Sequence, residues 1–547
     1  MPGLCGCTVS LLERGTSSSE VVSRMASSLV YRPYHMIGKS FTDDCIAASS
    51  VFLSPCNHVT QLYTGHKAIV WIDGERYSDA SSPTCSFSEE LHDAYADGKL
   101  VPFLHSVDAI FSAVIYDPFN RQLHFISDRF GLRQLYLCVT PAGIAWATEI
   151  KAFRQIPSLN LATDHEAVDD FLSVGHFTGS RTWFREVELI DPAVLITADC
   201  HSSAIRTTTW WRPDNPPPLD DAPDSAATIE RIAEVFKKAV RKRCRQGEKV
   251  GIGLSGGLDS RAIFAALPDV FEPVPAITFG RPGCPDITIA RQVAALRPTN
   301  HVVHEITAGN WLNNRLEGIR LTDGQFNMLH MHGIEHINEM RNVYTIELNG
   351  FLGDALLGGA YAGHPDGEYA NFLNRGRRFI GAGLYLGNLS YHTRLPFFDK
   401  DLIELTLAIP VRFRKHSSLY NKMLVHAFPE YFTTIPWQKT GLPISRNSPI
   451  DKMIAIARKG LGRLENTLPF LHDRRDFFDY GAWIRLKPAR SLFQDALTAE
   501  HSPLFSFVDK SKVQTTLTNH FNGIDNSELL GRYLTVDVWL RKYFEKM

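Results

Sequence analysis

Gly251-Ile-Gly-Leu-Ser-Gly-Gly-Leu-Asp-Ser260 is the stretch that decides the fold of the second half of this chain. The apolar run from Val250 to Leu254 is typical of a buried parallel strand. The small residues that follow let the backbone approach a ligand closely, and after Asp259 the apolar spacing becomes helical. A strand, a glycine-rich turn and a helix start together present free N–H groups to an anion. The stretch therefore predicts a phosphate site, with the Asp259 carboxylate suited to Mg²⁺.

The motif Ser255-Gly-Gly-Leu-Asp-Ser260 resembles the PP-loop of ATP pyrophosphatases, which cleave ATP to AMP and pyrophosphate. It is not a Walker A loop, because the Gly-Lys-Ser/Thr ending is absent. A tight turn between a strand and a helix is the plain alternative for a bare Ser-Gly-Gly. The full motif after a strand is much more specific.

Length and composition limit the number of domains and the classes of partner that can be expected. A chain of 547 residues should hold two or more domains. The net charge of −2 gives no reason to expect nucleic acid or an anionic membrane as a partner. The nine scattered cysteines fit a reduced cytoplasmic setting. No signal peptide is found, and no apolar run approaches the roughly 20 residues that span a bilayer.

The first part of the chain, residues 1–212, is predicted to be a layered β-rich domain. Residues 109–116 and 122–127 are rich in β-branched and aromatic residues and flank a turn, so they predict a hairpin. Helices are predicted at 88–97 and 163–173. Residues 213–225 are rich in Pro and Asp and predict an extended linker at the domain boundary.

The remainder, residues 226–547, alternates strand and helix signals before becoming mostly helical. Its first helix carries a basic run at 237–245, for which a solvated face is the favoured interpretation. Strands are predicted at 274–279, 301–306 and 343–348, with helices between them. This alternation predicts a doubly wound parallel sheet with ligands at the carboxyl ends of its strands.

Two further motifs point to the same site. Four glycines surround Asp354 in the stretch Gly350 to Gly359, which places a carboxylate where it can share a metal with Asp259. A glycine C-cap or an interface loop is the competing interpretation. In the third motif, Pro and Trp flank Lys439 in a stiff setting that can hold an ammonium against phosphate. Most lysines only solubilise the surface, and the residues alone would leave Lys439 there.

In this order and spacing, the three motifs resemble the asparagine synthetase family, which includes β-lactam and lasso-peptide macrolactam synthetases. Further matches are Thr278 to Asp286, His304-Glu305 and Arg394 to Asp399, so the resemblance covers nearly the whole chain. It implies an α/β fold: an N-terminal Ntn-type αββα sandwich, then a doubly wound parallel sheet of the PP-loop type with a helical extension. It also implies ATP and Mg²⁺ as cofactors.

Residue roles follow from the resemblance. Asp259 and Asp354 are assigned to the metal, and both are assigned to catalysis together with Lys439. ATP binding is assigned to Leu254, Ser255, Gly256, Gly257, Asp259, Ser260, Thr278, Phe279 and Gly350.

The N-terminal part resembles the family's glutaminase domain, but its chemistry is predicted to be lost. An active glutaminase needs Cys directly after the initiator Met, and here that position is Pro2. The family's glutamine-binding Asn-Gly-Glu becomes Asp73, Gly74 and Glu75, and no arginine lies between residues 33 and 75. The alternative is cleavage after Leu4, which would free Cys5 as an N-terminal nucleophile.

The synthetase half departs from the family at its catalytic bases. Asparagine synthetases that use glutamine have Glu where this chain has Ala355, and β-lactam synthetases have Tyr where it has Phe351. Leu352 also stands where Gly is usual. Candidate replacement bases are three histidines with a suitable unperturbed pKa, His330, His332 and His336, although a structural role is the more common one for each.

The predicted function is ATP-dependent amide formation through an adenylated carboxylate, with release of AMP and pyrophosphate. The amine is expected to come from outside the chain's own glutaminase site, and the carboxylate to be a small molecule or a peptide. The resemblance leaves a homodimer open. The alternatives are an asparagine synthetase and an intramolecular lactam or macrolactam synthetase. From other classes, a PP-loop enzyme that modifies RNA and a non-enzymatic scaffold also stand as alternatives.

Overall fold

The structure is a computed structural model that describes residues 3–56, 58–78, 85–213, 216, 218–219, 221–365, 367–446 and 477–544. Pro2 and residues 214, 215, 217 and 220 of the predicted linker lie outside these ranges. The domain boundaries at 213–225 therefore stay a prediction.

Strands dominate the first part of the chain. They are β1 Gly3–Thr8, β2 His35–Ile37, β3 Phe41–Thr42, β4 Ile46–Leu53, β5 Thr60–Thr64, β6 Ile69–Arg76, β7 Ala109–Asp117, β8 Gln122–Ser127, β9 Tyr136–Thr140, β10 Gly143–Ala147, β11 Val187–Leu189, β12 Val194–Asp199 and β13 Ile205–Thr209. Four helices accompany them: α1 Ser18–Ser28, α2 Phe87–Ala96, α3 Leu100–Ser106 and α4 His165–Val174. The predicted hairpin is β7 and β8, and both predicted helices are present.

These strands form two antiparallel sheets. One has seven strands, in the order β11-β9-β10-β1-β4-β2 with β3 beside β4, and the other has six, in the order β13-β12-β8-β7-β6-β5. Alternate side chains from both sheets, such as Trp71 and Trp146, fill the space between them. Helices α2 and α3 cover the outer face of the six-stranded sheet, and α1 and α4 cover that of the other. This is the predicted αββα sandwich.

The second part is built on a parallel sheet. Its strands are β14 Val250–Gly253, β15 Val274–Gly280, β16 Thr299–Glu305, β17 Ile346–Leu348 and β18 His392–Arg394, in the order β16-β15-β14-β17-β18. Its helices are α5 Ala226–Lys242, α6 Leu258–Ala266, α7 Pro285–Ala294, α8 Arg315–Leu321, α9 Ile337–Val343, α10 Gly353–Leu356, α11 Glu368–Asn371, α12 Gly381–Gly387, α13 Lys400–Ala408, α14 Val411–Arg414, α15 Ser418–Ala427, α16 Pro429–Phe432, α17 Tyr480–Trp483, α18 Ala489–Thr498, α19 Lys510–Phe521 and α20 Ser527–Phe544.

Helices pack on both faces of this sheet, as the alternation of strands and helices predicts. Helices α5, α6, α13 and α15 share a core with β14, β15 and β17 on one face. On the other face, Ile277 of β15 packs with Met340 of α9 and with Tyr344 and Tyr391. The sheet order reverses direction at β14, so the loop after β14 opens at a switch point where ligands bind.

The basic run at 237–245, at the end of α5, is only partly solvated. Arg243 is fully buried, with Nη1 3.0 Å from an oxygen of Asp399 and Nη2 3.3 Å from an oxygen of Asp108. Lys242 joins the same two carboxylates at 3.2 and 3.6 Å. The prediction of a solvated face is therefore wrong at these two positions. Their acidic partners are distant in sequence, so the local charge pattern does not reveal the ion pairs.

Within the described residues, no helix is both long and apolar enough to cross a membrane. All nine cysteines lie in the described ranges and none forms a disulfide.

Candidate active site

The loop after β14 is tied together by its two serines. The Ser255 N–H donates to Ser260 Oγ at 3.2 Å, and the two hydroxyl oxygens are 2.9 Å apart. The Gly257 N–H donates to Ser255 Oγ at 3.2 Å, and Gly257 precedes the first residue of α6. The loop thus sits at a helix N-terminus, where N–H groups and the helix dipole favour an anion.

Glycine is required where two loops cross. A Cβ on Gly350 would lie 2.9 Å from Cβ of Asp259 and 3.0 Å from the Ser260 nitrogen. A Cβ on Gly256 would lie 2.9 Å from Gln438, whose neighbour is Lys439. Both contacts are closer than ordinary packing permits, so side chains are excluded there. The three sequence motifs therefore meet at this loop.

The two predicted metal carboxylates lie together. The Asp354 N–H donates to Asp259 Oδ2 at 3.0 Å, and the Tyr420 hydroxyl donates to Asp259 Oδ1 at 2.7 Å. Burial and then the charge of Asp354 raise the pKa of Asp259 to about 7. The charge of Asp354 opposes the ionisation of Asp259, and a divalent cation such as Mg²⁺, which prefers carboxylate oxygens, would relieve that repulsion. The residues present therefore fit the metal.

A cavity of about 1240 Å³ opens beside this loop. Of the residues predicted to contact ATP, six line it: Ser255, Gly257, Asp259, Ser260, Phe279 and Gly350. Asp354 and Lys439 line the same cavity. Lys439 is exposed, and its Nζ lies 5.4 Å from the centre of the Trp437 ring. The structure thus brings the predicted lysine and both carboxylates to one space.

Three predicted ATP residues lie behind the cavity wall. The Leu254 side chain is buried, and its carbonyl accepts a hydrogen bond of 2.7 Å from Thr278 Oγ1. The Gly256 N–H is held at 3.0 Å by Asp286 Oδ1. These three residues therefore support the loop from behind, and none of them is in the cavity lining.

Neither family base position carries a proton acceptor. Phe351 is buried, lines the cavity and packs on Phe398 at 5.4 Å between ring centres. Ala355 is buried in the core. Leu352 adopts a left-handed conformation with φ of 55°, which explains why glycine is the favoured residue there.

The three candidate histidines differ in position. His336 does not line the cavity and stacks on His304 with ring centres 4.2 Å apart. His332 lines it, but burial holds its pKa well below the usual value, and its ring stacks on Phe478 at 4.3 Å. His330 also lines it and lies 3.0 Å from Glu528.

Two lining residues were missed by the sequence analysis. Lys415 lines the cavity beside His416 and Ser417, which both have a left-handed backbone with φ of 57°. Glu347 of β17 is also in the lining, and burial raises its pKa to about 7. A charged residue inside an apolar strand was the available signal for Glu347. No sequence pattern around Lys415 predicts that it belongs to the site.

The two acids at the positions that the resemblance assigns to glutamine binding are paired with basic groups of this chain. Glu75 is buried, 2.7 Å from His392 Nε2 and 2.9 Å from Arg245, and Arg394 also pairs with it. Asp73 is buried with Arg133 at 3.7 Å. The void beside Asp73 is about 20 Å³, enough for about one water.

Gly74, between these two acids, adopts a φ of 133°, where a Cβ would lie 2.2 Å from the Ile110 carbonyl oxygen. Cys5 lies inside β1, paired with Ala147 and Ser49, and is fully buried. Burial raises its thiol pKa. Leu4 is buried in the sandwich core, so excision of residues 1–4 would remove a core side chain.

Comparison with known families gives two matches. The asparagine synthase model matches residues 231–377, and the glutamine amidotransferase domain model matches residues 80–211. Together they span both parts of the chain, and the first includes the Ser255–Ser260 loop and Asp354.

Curated relatives are asparagine synthetases. The glutamine-hydrolysing enzyme of Cricetulus griseus is 24% identical over 46% of this chain and 44% of its own length. The human enzyme is 25% identical with the same coverage, and a putative one from Mycobacterium bovis is 25% identical over 38% of this chain and 33% of its own length. The matched part is thus less than half of each relative.

Among solved structures, a glutamine phosphoribosylpyrophosphate amidotransferase from B. subtilis is 10% identical, with a TM-score of 0.28, covering 55% of this chain and 81% of that one. At that score the likeness carries no conclusion.

Proposed function

Because the asparagine synthase and glutamine amidotransferase models match this chain, we propose that it forms an amide by adenylating a carboxylate and passing the acyl group to an amine. The observation that carries this is the convergence of Asp259, Asp354 and Lys439 on one cavity beside the Ser255–Ser260 loop. Each group suits one part of ATP cleavage between the α- and β-phosphates.

The loop binds the pyrophosphate end of ATP. Ser255 and Ser260 present hydroxyls, and the start of α6 presents its positive dipole end. Mg²⁺, when bound by Asp259 and Asp354, would neutralise charge on the phosphates. The substrate carboxylate attacks the α-phosphorus, and an acyl-adenylate and pyrophosphate form.

Lys439 acts on charge that develops during the reaction. Its ammonium stabilises negative oxygen on the α-phosphate and then on the tetrahedral acyl carbon. The amine attacks that carbon, the bond to the phosphate oxygen breaks, and AMP leaves. Lys415 brings a second cation to the same cavity.

The amine does not come from the chain's own glutaminase site. The buried pairs of Glu75 with His392 and Arg394 occupy the place where a glutamine would be held. The residual void of about 20 Å³ is too small for glutamine. We therefore expect glutamine neither to be hydrolysed nor to serve as nitrogen donor.

Carboxylate-dependent exchange of labelled pyrophosphate into ATP tests the first step. A panel of amino acids, dicarboxylates and peptide acids should yield at least one active compound, and glutaminase activity should be absent throughout. Exchange that is independent of every carboxylate would refute the adenylation, and steady release of glutamate from glutamine would refute the inactive glutaminase.

A second candidate is asparagine synthesis from aspartate and free ammonia. The relatives' printed names favour it. Aspartate as the best carboxylate in the exchange assay, with ammonium as the best nitrogen donor, would select this candidate.

A further inference from the structure

Glu347 is the acidic residue of the cavity that the proposed metal site does not use. Three acids line the cavity, and the other two are Asp259 and Asp354. Glu347 is 6% exposed and belongs to the central strand β17, between Ile346 and Leu348, which point into the core on the other face of the sheet. A buried carboxylate in that position costs stability, and perturbed groups of this kind cluster at functional sites.

Strand β14, next to β17, leaves room for the Glu347 carboxylate. A Cβ on Gly253 of β14 would lie 2.9 Å from Glu347 Oε1. Gly253 comes two residues before Ser255, and β17 leads directly to Gly350, which touches Asp259. Glu347 therefore lies next to the loop where the acyl-adenylate forms, on a rigid strand.

Its neighbours fix the side chain without neutralising it. Asn349 Nδ2 donates to Oε2 at 3.1 Å and Thr393 Oγ1 at 3.4 Å, and the Tyr344 hydroxyl also bonds to the carboxyl. No cation is among the described groups that act on its pKa, and Tyr391 also faces it. A carboxylate held in place with no cation is prepared to accept a proton.

Aromatic rings also line the cavity. The aromatic wall consists of Phe279, Phe326, Phe379 and Tyr391, all in the cavity lining. Ammonia would bury little apolar area against these rings, whereas a molecule with an apolar body would bury more. The two lysines that line the cavity attract the carboxylate substrate, and Glu347 repels it.

On the basis of the proposed function, we propose that Glu347 binds and deprotonates the acceptor, a primary amine whose apolar body lies against the aromatic wall. The amine nitrogen forms a bond to the acyl carbon, and the acyl–oxygen bond to AMP breaks with its electron pair on the phosphate oxygen. The ammonium ion gives one proton to Glu347 before the attack, and the nitrogen loses its second proton to the departing phosphate of AMP, so charge and atoms balance. Glu347 would thus replace the bases absent at Phe351 and Ala355.

The test compares two nucleophiles in a Glu347→Gln variant. Hydroxylamine is uncharged at neutral pH and traps acyl-adenylates without a base, whereas 2-phenylethylamine arrives as an ammonium ion. We expect amide formation from 2-phenylethylamine to fall about 100-fold or more, with hydroxamate formation and pyrophosphate exchange changed less than about threefold. The deficit should shrink as pH rises, because free amine increases about tenfold per pH unit.

Glu339→Gln is the matched control, because Glu339 is exposed and lies outside the cavity lining. An equal fall with both nucleophiles, or no fall at all, would overturn the role of Glu347. Ammonium chloride that serves wild type as well as 2-phenylethylamine would overturn the apolar acceptor. Wild type without exchange or hydroxamate for any carboxylate would instead refute the proposed function itself.

If Glu347→Gln does not fold, wild type alone decides. The ratio of amide to hydroxamate should then stay nearly constant above about pH 7 and fall only below it, because the ionised Glu347 accepts the proton of the ammonium ion. A ratio that falls about tenfold per pH unit at every pH, as the free amine does, would contradict the proposal.

Discussion

Replacing Glu347 with Gln should stabilise the protein at alkaline pH and leave it unchanged at acid pH. Burial raises the pKa of Glu347 from 4.5 to about 7. Between these values the folded state binds more protons than the unfolded state, so the stability present at acid pH is lost as pH rises through about 7. At about 1.4 kcal/mol per pKa unit, the charged residue costs roughly 3 kcal/mol above pH 8. Gln has the same shape and avoids this cost.

The assay is the thermal unfolding midpoint of wild type and variant at about pH 4.5 and about pH 8.5, without ATP or Mg²⁺. For a chain of this size, roughly 3 kcal/mol corresponds to a rise of about 2 to 3 °C at the alkaline pH, with none at the acid pH. Glu339→Gln should show no pH-dependent shift, because an exposed acid contributes little. A variant that is equally or less stable than wild type at alkaline pH would refute the reasoning.

Three other substitutions test the site and its surroundings. Lys439→Ala should reduce amide formation about 100- to 1000-fold while leaving ATP affinity and the unfolding midpoint unchanged; near wild-type turnover would refute its role. Gly350→Ala places a Cβ 2.9 Å from Asp259, and calorimetry should show affinity for Mg²⁺ and ATP weakened about tenfold or more; unchanged affinity would mean that the loops can separate. Arg394→Met leaves Glu75 buried without its main cation and should cost about 3 to 5 kcal/mol in urea unfolding, so a cost below about 1 kcal/mol would contradict a buried pair.

Local pattern was sufficient for the strand–loop–helix unit. The apolar run before Ser255 and the helical spacing after Asp259 predict β14 and α6 to within a few residues, because both signals are contained in the segment itself. The proximity of Asp354 also follows from sequence, since carboxyl ends of parallel strands share one edge of a sheet.

Contacts between distant segments could not be predicted in the same way. The basic run at 237–245 predicts a solvated face, yet Arg243 meets Asp108 and Asp399, which lie 135 and 156 residues away. Lys415 reaches the cavity only through the tertiary fold. Glu347 stands in an apolar strand whose pattern does not say which face opens to a cavity.

The proposed reaction begins with transfer of the adenylyl group of ATP to a carboxylate, before the amide forms. The direct measurement uses ¹⁸O-labelled carboxylate, chosen from the exchange panel, with ³¹P NMR of the nucleotide products. Carboxylate attack at the α-phosphorus predicts that one ¹⁸O appears in AMP for each amide formed, with unlabelled pyrophosphate. Label in inorganic phosphate together with ADP, or unlabelled AMP, would contradict the account.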